Sequence, residues 1–148
     1  MDYPSPIPFV HSQGIELIAS ADGKSELRMT VRPDQENHLK LAHGGVLMTL
    51  LDVAMAQAAR SANGGTSVIT IEMKTTFFQP SLGVLTARGT LQHKTGRMAF
   101  AEATVFDADG KACAHSTGTF RYITPKSGAV AASTPTFTAP LTPTPTES

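Results

Sequence analysis

The chain has 148 residues, 41% of them hydrophobic and 16% charged, which suits one packed domain and excludes a globally disordered chain. Twelve basic residues balance twelve acidic ones, so no long-range field would draw nucleic acid to it. A single cysteine, Cys113, excludes an intramolecular disulfide, and five scattered histidines without C-x-x-C or H-E-x-x-H spacing offer no metal-ligand pattern.

Residues 1–12 contain Pro4, Pro6 and Pro8 and are expected to form an extended arm. They carry neither a basic leader nor an apolar run of signal-peptide length. Residues 14–20 and 25–31 read as two short strands around Asp22-Gly23, a strong hairpin signal. Residues 32–42 are polar, contain Pro33 and read as a loop. Residues 46–60 hold no glycine or proline and are rich in Leu, Met and Ala, which predicts a helix ended by Asn63-Gly64-Gly65. This apolar run is too short to span a bilayer and contains Asp52, so a soluble cytoplasmic chain with no membrane partner is expected.

Residues 67–78 alternate, with Ile69, Ile71 and Met73 expected on one face and Thr70, Glu72 and Lys74 on the other, as in a half-buried strand. Strands at 84–93, 97–106 and 112–123 follow, separated by tight turns. The domain is thus placed at 13–124, and the Pro/Thr-rich residues 125–148 are expected to be a disordered tail. Two strands, one helix and four strands joined by short turns predict an α+β arrangement: one helix layered on an antiparallel sheet.

The helix carries the chemistry. In VLMTLLDVAMAQAA, residues 46–59, the polar exceptions are Thr49, Asp52 and Gln57, so apolar residues occupy all faces. Such a helix is expected to be buried, under the sheet and a second subunit. Asp52 has no basic neighbour at i±3 or i±4. It is either a functional carboxylate of raised pKa or one met by a cation or backbone amides from elsewhere. Ahead of the helix, His43-Gly44-Gly45 permits a tight backbone approach, and helix N-terminal amides favour negative charge. A developing oxyanion would be stabilised there.

The stretch from Asn37 through His43-Gly44-Gly45 to Asp52, an acid nine residues after the histidine, resembles the hotdog-fold thioesterases, specifically the phenylacetate-pathway (PaaI-type) branch. ITIEMKTTFFQP and GRMAFAEATVFDADGKACAHSTGTF add to the resemblance, which covers roughly residues 13–123. It implies a hotdog fold, with a curved antiparallel sheet wrapped around one long helix. It also implies a homo-oligomer, a dimer or a homotetrameric dimer of dimers, with sites shared between subunits.

By position, the resemblance implies Asp52 as general base or nucleophile and the Gly44 N–H as oxyanion donor. Asn37 and His43 would position the thioester or the loop around it, and Thr70 would orient water. The substrate would be an acyl-CoA, with no cofactor beyond it. Lys94, Arg97 and Arg121 are candidates for its phosphates, with Lys74, Arg88 and Lys126 behind them. Cys113 has no base motif and reads as a strand residue. A hotdog hydratase or dehydratase, and a non-catalytic acyl-CoA-binding protein, are the alternatives; the Asn37, Gly44 and Asp52 set favours the hydrolase.

Overall fold

A computed structural model describes residues 7–123. Residues 1–6 and the tail expected over 125–148 lie outside them. The element order is α1 (Pro8–Ser12), β1 (Glu16–Ala21), β2 (Lys24–Thr30), α2 (Gly44–Ser61), β3 (Val68–Phe77), β4 (Val84–Lys94), β5 (Met98–Phe106) and β6 (Ala112–Tyr122). The six strands form one antiparallel sheet in the order β1-β2-β4-β5-β6-β3, which does not close. β3 follows the helix and pairs with the last strand, so β1 and β3 are the two edges.

Asp22 and Gly23 turn β1 into β2 with φ of 52° and 81°, the two positive values that a two-residue type I′ hairpin needs. α2 lies across the inner face of the sheet. That face is built from small residues: Ala87 and Gly89 of β4, Ala99, Ala101 and Ala103 of β5, and Ala114 and Gly118 of β6. Small residues let the helix come close. A Cβ on Gly89 would collide with the Ala54 carbonyl of α2, which also accepts a 2.6 Å hydrogen bond from Ser25 Oγ. Leu27, Leu50, Leu51, Met55, Leu85 and Phe120 fill the flanks with almost no exposure. Tyr122 closes one end by donating from its hydroxyl to the Ala59 carbonyl at 2.7 Å.

Four local expectations change. Residues 8–12 are a short α-helix rather than extended chain, because Pro8 sits in its first turn, where a fixed φ and a missing N–H cost nothing. The 32–42 loop contains a 3₁₀ turn, Pro33–Gln35, and a bridge between Glu36 and Ala42. α2 starts two residues early, at Gly44, with His43 as its N-cap. It is not buried all round in the protomer: Met48 is 38% exposed, and Thr49, Asp52 and Ala56 are half-buried.

The face assignment in β3 also changes. Ile69 and Ile71 are about half exposed, at 50% and 52%. The register with β6 slips between Thr70 and Glu72, so a bulge falls at Ile71 and breaks the two-residue alternation. Val68 and Thr70 pair with the buried Tyr122 and Phe120. Beyond the bulge Met73 and Thr75 pair with the buried Gly118 and Ser116. Thr70 therefore faces the helix, on the same side as Met73 rather than opposite it.

Candidate active site

Asp52 sits in the third turn of α2, where it meets the edge strand β3. Thr70 Oγ1 donates to Asp52 Oδ1 at 2.7 Å. Among the described residues no cation forms an ion pair with Asp52; the pairs present are Arg32–Asp34, Arg88–Glu26 and His115–Glu102. Burial raises the Asp52 pKa above its ordinary value, and the Thr70 hydrogen bond lowers it in part. A carboxylate with no counter-charge among the described residues, held by one oxygen, has its other oxygen available to accept a proton. It lies in a groove of about 480 Å³ whose walls include Thr49, Val53, Ala56, Arg60, Val68 and Thr70.

The helix N-terminus is a separate centre. His43 Nδ1 accepts from the Gly45 N–H at 2.9 Å and caps the helix, which ties the imidazole to this turn. The backbone approach at Gly44 is tight: a Cβ there would meet the Phe77 ring at 3.3 Å. Asn37 Oδ1 accepts from the N–H groups of Leu39 at 2.9 Å and Leu41 at 3.2 Å, so its side-chain carbonyl holds the loop. Asn37 and Gly44 line a second groove, of about 430 Å³, with Leu47, Phe77, Phe78 and Pro80.

Asp52 and Thr70 are thus brought together in one groove, and Asn37 and Gly44 in another, with His43 capping the helix beside Gly44. Eight residues of α-helix separate Gly44 from Asp52, about 12 Å along the axis. The cationic candidates cluster elsewhere. Arg97 and Lys94 flank the β4–β5 hairpin, and Arg121 pairs with Met98 on one side and Ile69 on the other. Lys94 Nζ donates to Asn63 Oδ1 at 3.3 Å. Arg88 is engaged with Glu26 at 3.1 Å and lies 5.4 Å over the Phe106 ring, which ties it into the outer sheet face. Lys126 lies outside the described residues.

Two features of the groove escaped the sequence reading: Arg60, two turns beyond Asp52, and Ile7 ahead of α1 with the α1 residues Phe9 and Val10. Arg60 carried a signal, since it stands at i+8 from Asp52 on one helix. The α1 residues carried none, because nothing in a proline-rich arm foretells which face it covers. Among the described residues no three His, Cys, Asp or Glu side chains converge as a metal-ligand set, and no helix is long and apolar enough to cross a membrane.

A family model for the thioesterase superfamily matches residues 39–114, from the loop before α2 into β6. The chain belongs to the thioesterase superfamily. Among solved structures it is similar to a conserved protein of Pseudomonas aeruginosa, with 27% identity and a TM-score of 0.76, over 80% of this chain and 95% of that one. It is also similar to a variant of the phenylacetic acid degradation protein PaaI of Thermus thermophilus, with 26% identity and a TM-score of 0.72, over 79% and 100% of the two chains.

A Saccharolobus solfataricus protein provisionally named an esterase is 25% identical over 107 residues, 72% of this chain and 76% of that one. The open six-stranded sheet on one helix is the hotdog fold, and the chain is similar in it to the PaaI protein. The superfamily match and the esterase relative support a hydrolase acting on thioesters.

Proposed function

We propose that this thioesterase hydrolyses acyl-CoA to the free acid and CoA, with Asp52 as general base. The observation that carries the reading is the Asp52 carboxylate itself: partly desolvated, with no ion pair among the described residues, and held by one oxygen on Thr70. In this scheme Asp52 takes a proton from water as the water oxygen attacks the thioester carbonyl. The C–S bond then breaks, and the proton passes to the departing thiolate. The Gly44 N–H at the start of α2 receives the developing oxyanion, where unsatisfied amides and the helix dipole favour negative charge. Asn37 orients the thioester through its amide nitrogen, and His43 holds the turn that presents Gly44.

The acid and the amide come from different subunits. Their separation of about 12 Å along α2 is too great for one carbonyl to touch both. The edge strand β3, with Ile69 and Ile71 exposed, offers the surface for pairing two protomers. Such a homo-oligomer, a dimer or a dimer of dimers, would bring Asn37 and Gly44 of one protomer to Asp52 and Thr70 of the other. Lys94, Arg97 and Arg121 then supply cations for the CoA phosphates near the start of β3, and no further cofactor is required. Thiol release from acyl-CoAs, wild type against Asp52→Asn, tests the reading.

A further inference from the structure

α1 roofs two cavities rather than one. The Asp52 groove runs beneath it on one side. On the other is an apolar cavity of about 180 Å³ bounded by Val10, His11, Ile15, Leu17, Leu27 and Val53. Ile7, Val10 and Val53 line both spaces, so the second begins where the first ends, one residue along α2 from Asp52. Hydrolysis as described above uses nothing in the second cavity.

α1 itself has only five residues, none of them buried, and a helix this short does not persist on its own. Val10 packs against the core. Behind α1, the buried Gln35 donates from its side-chain amide to the Gln13 carbonyl at 2.8 Å and to Gln13 Oε1 at 3.1 Å. The chain is therefore pinned just after α1, and the helix covers apolar space that no side chain among the described residues fills. Unfilled apolar space forfeits dispersion contacts, which a hydrocarbon guest would restore. His11 excepted, the lining of the second cavity is aliphatic, with no aromatic ring to stack on an aryl group.

We propose that the cavity beneath α1 is the acyl-chain site, and that it selects an unbranched aliphatic acyl group that passes Asp52, runs under Val10 and ends against Leu17 and Leu27. The proposal rests on the thioesterase reading above and names its substrate class.

The test is kcat and KM for butanoyl-, octanoyl-, dodecanoyl- and phenylacetyl-CoA with wild type and Leu17→Phe, alongside calorimetric binding of the same compounds to Asp52→Asn with and without Val10→Asn. Wild type should prefer octanoyl- over butanoyl-CoA, mainly through KM. Leu17→Phe should cut the octanoyl-to-butanoyl ratio of kcat/KM by about tenfold or more, as expected when a hydrophobic pocket loses room for methylenes. Val10→Asn should weaken octanoyl-CoA binding much more than butanoyl-CoA binding, which reports on the cavity even if Leu17→Phe folds poorly.

An unchanged chain-length profile in Leu17→Phe, or a preference for phenylacetyl-CoA in wild type, would overturn the proposal while leaving the hydrolase intact. Chain-length-dependent binding without turnover of any thioester would keep the cavity and overturn the hydrolase. Neither turnover nor binding would overturn both.

Discussion

Thr70 reaches Asp52 only because β3 is bulged at Ile71. The 2.7 Å hydrogen bond joins a helix and an edge strand that are 18 residues apart in sequence. A regular strand through Met73 would have turned the threonine hydroxyl away from the helix. The bulge thus serves the site, and the bond has two consequences: it fixes one carboxylate oxygen, and it lowers a pKa that burial raises.

The first prediction follows from that balance. Because burial is the larger influence, the acidic limb of the kcat/KM profile should lie above the usual aspartate range around 3.8. Thr70→Val removes the influence that lowers the pKa, so its limb should move to higher pH than in wild type, with reduced turnover. Thr70→Ser keeps the hydroxyl and should leave the limb in place. A Thr70→Val limb at or below the wild-type position would contradict this role.

A second prediction concerns stability. The Asp52 pKa is higher folded than unfolded, so the folded state holds its proton more tightly than the unfolded chain does. Stability from this group is therefore greatest below the unfolded value and is lost as pH rises through the folded one. Asp52→Asn removes that penalty. At neutral pH its melting temperature should equal or exceed that of wild type, while near pH 3 the difference should vanish. A clear loss of stability at pH 7 would mean that the carboxylate is paired in the assembled protein.

Gly89 is where the sheet touches α2. Gly89→Val puts branched carbons against the Ala54 carbonyl and Ser25 Oγ, both backed by well-packed core. The expected cost is about 1–3 kcal/mol or more, read as a lower urea midpoint with an unchanged m-value. Gly110→Ala is no equivalent control, because Gly110 has a φ of 81°. Gly96→Ala is one: a Cβ there meets nothing within 4 Å, and its midpoint should stay near that of wild type.

Mixing protomers tests the shared site. Asp52→Ala and Asn37→Ala homo-oligomers should both be poorly active. Once subunits exchange, a mixed dimer should regain one intact site in two, up to about a quarter of wild-type activity at random mixing. No recovery in mixed oligomers verified by mass spectrometry would place both residues in one protomer's site.

Much of this was readable from the residues. Six strands, the long helix and the order of elements followed from turn signals and from an alanine- and leucine-rich run without glycine or proline. Asp52 stood out because a carboxylate in an apolar helix needs a reason. What stayed hidden was set by the third dimension. The bulge at Ile71 has no glycine to announce it, so the apolar parity of Ile69, Ile71 and Met73 pointed the wrong way. α1 escaped because three prolines within the first eight residues suggested extended chain, whereas Pro8 begins a helix. The separation of Gly44 from Asp52 was implicit in the helix itself, at about 1.5 Å per residue, yet the His-Gly-Gly-to-acid spacing reads as one motif until the two grooves are seen.

The most direct test of the central claim is thiol release from short, medium, long and aryl acyl-CoAs by wild type and Asp52→Asn, with folding of both checked by thermal melting. The account predicts turnover in wild type and a loss of roughly 10²–10⁴-fold in Asp52→Asn, the usual worth of a positioned general base, with melting unchanged or improved. Near-wild-type turnover in a folded Asp52→Asn would contradict it.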